Sequence, residues 1–144
     1  MGATLEQVRL ATATIVDADA TLQGLMGRAT DLIREPASMD QYRLPLLVFT
    51  LSVDAAVDRG ELELLALSDD GATPATAACT GMLAAAAAAL NAVAFAAAGV
   101  DVIPLDPFSR LPSPDDDMLG MLDLITPSPT LRAARMTIPL LVFT

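Results

Sequence analysis

The chain has 144 residues, 18 of them acidic and 8 basic, for a net charge of -10; that length is one domain's worth, and residues 1–144 read as a single domain. It has no His, no Lys, no Trp and a single Cys, which excludes a histidine general base, a Ser-His-Asp triad, a His- or Cys-cluster zinc site and an intrachain disulfide. All eight cations are Arg, too few among the acids to form the basic surface that nucleic-acid binding needs.

The start, Met1-Gly-Ala-Thr-Leu-Glu6, lacks a basic segment followed by a long apolar run, so no secretory signal is expected. Thr4-Leu5-Glu6-Gln7 has the form of a capping box, and Leu5, Val8, Thr12, Ile15 and Val16 follow at near-helical spacing. Asp17 and Asp19 are expected to cap a second short helix from Ala20 to Met26 that stops at Gly27. Helix is expected to continue to about residue 33, until Glu35-Pro36-Ala37-Ser38 breaks it. Leu44 to Val53, reaching to Val57 at most, reads as a strand, Asp58-Arg59-Gly60 as a turn and Glu61 to Ser68 as the return strand of a hairpin. Glu61 and Glu63 fall on one face of that strand; Leu62, Leu64 and Ala66 fall on the other. Asp69-Asp70-Gly71 closes it as a turn.

Thr73-Pro74 opens a helix expected to run to about Ala98, where Gly99 ends it. Its most apolar part, Met82 to Ala98, is mostly Ala and holds Asn91. It is short for a bilayer span, and Ala gains little from lipid, so a packed helix is expected and no membrane. Val100 to Ile103 is a short strand. Pro104, Pro107, Pro112 and Pro114 then argue for a long surface loop ending in Asp115-Asp116-Asp117. Met118 to Thr126 reads as a strand or turn-strand piece, Pro127 and Pro129 as a further loop, and Met136 to Thr144 as the last strand. Leu44-Pro-Leu-Leu-Val-Phe-Thr50 returns as Ile138-Pro-Leu-Leu-Val-Phe-Thr144; the flanks differ, so two strands using the same apolar solution is preferred to a true repeat. The fold class expected is α+β: an antiparallel or mixed sheet with an N-terminal helix and one long Ala-rich helix packed on it.

Gly71 to Val100 contains no charged residue. On a helical wheel Cys79, Met82, Leu83, Ala86, Leu90, Val93 and Ala97 form the stripe that faces the sheet. The opposite side carries Ala77, Thr80, Gly81, Ala84, Ala88, Asn91 and Phe95. Two readings fit. Ala is the best helix former, so composition alone yields such a helix. Alternatively, a neighbouring subunit covers the outer side, with Ala84, Ala88, Asn91 and Phe95 as candidate contacts.

Three consecutive carboxylates do not converge on one cation in an extended chain, so Asp115, Asp116 and Asp117 read as a solvated run rather than a metal site. The eight glycines are scattered and form no phosphate loop. Cys79 lies on the core stripe, where a small buried hydrophobe is the ordinary reading. Arg132 and Arg135 read as charges that solvate a strand edge. No catalytic residue, metal ligand or cofactor is assigned.

The order of these elements, the segment Asp19-Ala-Thr-Leu-Gln-Gly-Leu-Met-Gly27 and the opening Leu44-Pro45 resemble the tail terminator proteins of long-tailed bacteriophages and related gene transfer agents. The resemblance covers roughly residues 5–100 and the last strand; the acidic Pro-rich loop and the Ala content depart from it. It implies a non-enzymatic structural protein of the virion tail, assembled in the host cytoplasm. Such a protein forms a homohexameric ring at the head-proximal end of the tail tube. There it ends tube polymerisation and joins the tail to the head-tail connector or neck protein. DNA would pass through the lumen unbound, which suits an acidic wall; Asp115, Asp116 and Asp117 are candidates for the lumen or a ring contact, and the segments Asp31 to Tyr42 and Pro104 to Asp117 for contacts to tube and connector. The alternatives are a neck or head-completion adaptor, an unrelated ring-forming adaptor and a small Asp-dependent hydrolase.

Overall fold

The computed structural model describes residues 4–35, 44–69, 75–106, 108–110 and 131–143. Two helices come first, α1 (Leu5–Asp17) and α2 (Ala20–Met26), followed by a short strand β1 (Ile33–Arg34). The hairpin strands β2 (Leu46–Asp54) and β3 (Arg59–Asp69) are joined by a 3-10 turn (Ala55–Val57). Two further helices, α3 (Ala75–Ala89) and α4 (Ala92–Ala97), precede strands β4 (Val102–Pro104), β5 (Phe108–Arg110) and β6 (Leu131–Val142). The sheet order is β1-β2-β3-β6-β4, with β5 also on β6. β1 and β2 run parallel and every other pair is antiparallel. The fold is α+β, with helices packed on one face of a mixed sheet.

Local chemistry accounts for most of these elements. The capping box at α1 is complete: Gln7 N–H donates to Thr4 Oγ1 at 3.2 Å and Thr4 N–H donates to Gln7 Oε1 at 2.9 Å. Val8, Ala11, Thr12 and Val16 are its buried face, and the Thr12 hydroxyl is satisfied by donating to Val8 O at 2.8 Å. Asp19 caps α2 by accepting from Leu22 N–H at 3.0 Å, and Gly27 ends it at φ 71°. Asp17 does something else. Its carboxylate accepts from Leu32 N–H at 2.9 Å and its carbonyl from Gln23 Nε2 at 2.8 Å, tying the helix pair to the start of β1. Helix does not continue to residue 33. The chain leaves it at Gly27, and Leu47 N–H donating to Leu32 O at 3.1 Å draws the next residues into the sheet.

The hairpin forms in a regular register, from Leu46 opposite Leu67 to Asp54 opposite Arg59. Its turn is Ala55 to Asp58, not Asp58 to Gly60. Asp58 takes the left-handed conformation at φ 52°, and its carbonyl accepts from Val142 N–H. Gly60 is a strand residue opposite Val53; a Cβ there would lie 3.0 Å from Ser52 O and 3.1 Å from Val142, so close strand packing rather than a turn explains the glycine.

Two described pieces of the proline-rich segment join the sheet. Pro104 lies in β4 and residues 108–110 form β5, both on the outer side of β6. Leu105 N–H donates to Pro139 O at 2.8 Å, so by alternation the nitrogen of Pro104 points away from β6, where no donor is needed. The last strand begins at Leu131, earlier than Met136. The two echoing segments flank β3 on opposite sides but face opposite ways: Leu140 and Val142 enter the main core, whereas their counterparts Leu46 and Val48 are buried outside it. They are not a structural repeat. Thr73, Pro74, Asp115 to Asp117 and Met118 to Thr126 lie outside the described residues.

The core lies between the helices and the inner sheet face. Leu47 and Phe49 of β2, Leu62, Leu64 and Ala66 of β3, and Ile138, Leu140 and Val142 of β6 meet Val8, Leu22, Leu83 and Phe95 from the helices. Glu61 and Glu63 point the other way, as alternation requires. Cys79 is fully buried on α3, and burial pushes its thiol up to about 11. The neutral thiol is the form the fold favours, so its contribution to stability falls as pH rises from 9.0 through about 11. At pH 8 the native chain is expected to react with iodoacetamide at least about a hundredfold more slowly than the urea-unfolded chain, because burial both lowers the thiolate fraction and blocks access. Equal rates would place the thiol in solvent.

Candidate interaction surface

The expected long helix is two helices. The last regular bond of α3 is Leu90 N–H to Ala86 O at 2.9 Å, after which Asn91 is extended (φ -112°, ψ 167°). Its side chain serves both ends: Oδ1 accepts from Ala94 N–H at 2.9 Å, and Nδ2 donates to Ala88 O at 3.0 Å. One Asn thus closes α3 and opens α4.

The break resets which side faces the core. Cys79, Met82, Leu83, Ala86 and Leu90 are buried, as the wheel requires. Past Asn91 the wheel fails: Val93 is 79% exposed, Ala97 is exposed, and Phe95 is fully buried in the main core. Phe95 is therefore withdrawn from the outer side and cannot be a subunit contact there. Ala84, Ala88 and Asn91 do face outward.

The outer side of α3 and α4 meets the corner between α1 and α2 in a groove of about 500 Å³. Ile15, Ala18 and Asp19 line it from the corner, and Ala88, Asn91 and Ala94 from α3 and α4. A second groove of about 300 Å³ lies further along α1, between Leu10 and Thr14 on one wall and Ala98 and Gly99 on the other. Both grooves are bounded by α1 and by α4 or the residues just after it, so they belong to one stretch of the helical layer. Asp19 is the only ionisable residue in either lining, and its carboxylate is already engaged as the α2 cap. Leu10, Leu25 and Val93 stand on this layer 60%, 54% and 79% exposed.

Sequence reasoning missed Ile15, Ala18 and Ala94. The usable signal was Asp17-Ala-Asp19 between two helical runs. A corner at that point brings a small residue, Ala18, against the Ala-rich helices.

The ion pairs lie outside the two groove linings. Arg9 bonds Glu35 through two nitrogens at 2.9 and 2.8 Å and Glu6 at 2.7 Å; the bond to Glu35 raises the Arg9 guanidinium further above its ordinary value. Arg34 pairs with Asp31 at 2.6 Å. Among the described residues, no three of His, Cys, Asp and Glu gather where a metal ion would be held, and no helix is long and apolar enough to cross a membrane. Arg135 is half-buried on β6 and Arg132 lies on the same strand. The carboxylates Asp115, Asp116 and Asp117 lie outside the described residues. What the two grooves offer is shape and mostly small, uncharged side chains. Compared with models of protein families, with curated proteins and with solved structures, the chain matches none.

Proposed function

We propose that this chain is a structural virion protein of the tail terminator kind. It forms a homohexameric ring at the head-proximal end of a phage tail tube. It ends tube growth there and joins the tail to the head-tail connector. The observation that carries the reading is the pair of grooves in the helical layer, whose linings hold Asp19 as the one ionisable residue. A helix without charges on its outer side is normally covered, and sister copies are the economical cover for a chain of this size. Contacts between different patches on the two sides of each subunit close into a ring. The net charge of -10 suits a conduit through which DNA slides without being held. The six-stranded sheet with its hairpin favours the terminator over a helix-dominated neck adaptor.

The test is to add the purified chain to the tail tube protein of the same genome as that protein polymerises. Shorter tubes carrying the chain at one end are expected. Unchanged tube lengths, with no chain sedimenting with the tubes, would overturn the terminator assignment.

A further inference from the structure

The two edges of the sheet are finished differently. β4 and β5 border β6 on one side, and Pro104 turns its donor-less nitrogen outward there, a common protection for an edge. On the far side, β1 has two residues and pairs with β2 only at Leu47 and Val48. Leu47 N–H donates towards β1, at Leu32 O. Alternation then turns the N–H and C=O of Phe49, Leu51 and Val53 the same way, away from β3; the parallel pairing of Arg34 with Val48 engages the Phe49 N–H, so the open groups begin at the Phe49 carbonyl. Among the described residues, no strand pairs with β2 beyond Val48 on that side. β2 carries no Pro and no break in its register with β3, and among the described residues no strand covers this stretch of its edge. Leu51 and Val53 are only half-buried, as core-facing residues are where a sheet stops one strand short.

The other side of the same stretch is polar and acidic. Thr50, Ser52 and Asp54 are exposed on β2. Glu63 lies between Thr50 and Thr137, and Glu61 between Ser52 and Pro139, so neither glutamate has a cation directly across the strands. Arg59 is opposite Asp54 instead.

We infer that the β2 edge from Phe49 to Asp54 accepts an extended strand from a partner protein, and that this strand alternates apolar with basic residues. Its apolar side chains continue the inner face beside Leu51 and Val53. Its basic side chains lie beside Asp54 and reach over the short Thr50 and Ser52 towards Glu61 and Glu63, with neighbouring strands about 4.8 Å apart. Main-chain bonds supply affinity and the acidic side supplies selectivity. This site does not depend on ring formation.

Amide hydrogen exchange on the dilute full chain tests it, with a synthetic peptide of about seven alternating Val and Arg residues as the probe. Two controls accompany it: the same peptide with Glu in place of Arg, and the Val-Arg peptide N-methylated along one edge. In the chain alone, the Leu51 and Val53 amides should exchange fast. With the Val-Arg peptide at about ten times its Kd, they should slow about tenfold, with little effect from either control. A Val53→Pro variant should lose the response while its melting curve stays cooperative. Slow exchange of both amides in the dilute chain alone would overturn the inference, because the edge would already be covered. So would protection that rises with chain concentration without peptide, which would assign the edge to a second copy, and so would equal protection by the Glu peptide.

Discussion

Phe95→Ala is expected to lower unfolding stability by about 3–5 kcal/mol, whereas Val93→Ala, two residues earlier, should change it by less than about 0.5 kcal/mol. Phe95 is fully buried in the main core and Val93 is 79% exposed. Truncating the ring leaves a cavity lined by core residues, while truncating Val93 removes a side chain mostly in water and improves helix propensity slightly. The comparison is sensitive because a straight helix from residue 73 to 98 reverses it: Val93 would sit on the buried stripe and Phe95 outside. Urea unfolding of both variants at dilution reads the difference. Equal losses, or a larger loss for Val93→Ala, would contradict the break at Asn91.

Ala88→Glu is expected to separate assembly from folding. Ala88 is exposed in the single chain and lines the larger groove. Glu is a good helix former, so the stability of the isolated chain should stay within about 0.5 kcal/mol of the parent. In an assembly, the same carboxylate is buried in a groove whose one ionisable lining residue, Asp19, is itself an acid, with no cation in the lining, and an unpaired buried charge costs about 3–5 kcal/mol. The variant should therefore be folded and monomeric, while Ala88→Ser, small and neutral, should assemble like the parent. A variant that assembles normally would remove the groove from the subunit contact.

How much of this was legible in the sequence depended on whether the signal was local. The capping box at Thr4, the Asp19 cap, the Gly27 stop and the alternation along β3 all rest on interactions within a few residues, and all are found. Residues whose state is set by distant partners were misread. Asp17 looks like a cap beside Asp19, but its partner is Leu32, fifteen positions away. β1 has two residues, too short for any periodicity, and exists because β2 offers it a register. The order at residues 108–110 comes from β6, against a local composition that argues for a loop.

The phase error in the Ala-rich segment is of another kind. Asn91 is a good capping residue and its signal was present. A uniform Ala background has nothing to mark which side is inside, so a wheel drawn through the break carried the wrong face to Val93 and Phe95. The outward positions of Ala84, Ala88 and Asn91 survive because they precede the break or sit at it. The groove at the α1–α2 corner needed the tertiary fold, because its walls come from segments some seventy residues apart in the chain.

The native mass of the purified chain bears most directly on whether sister copies cover the helical layer, measured together with Ala88→Glu and at more than one ionic strength. The expected parent result is a closed assembly of about six chain masses of 14.9 kDa that persists in salt, with the variant at one. A parent chain that stays at a single chain mass across concentration and salt would contradict it.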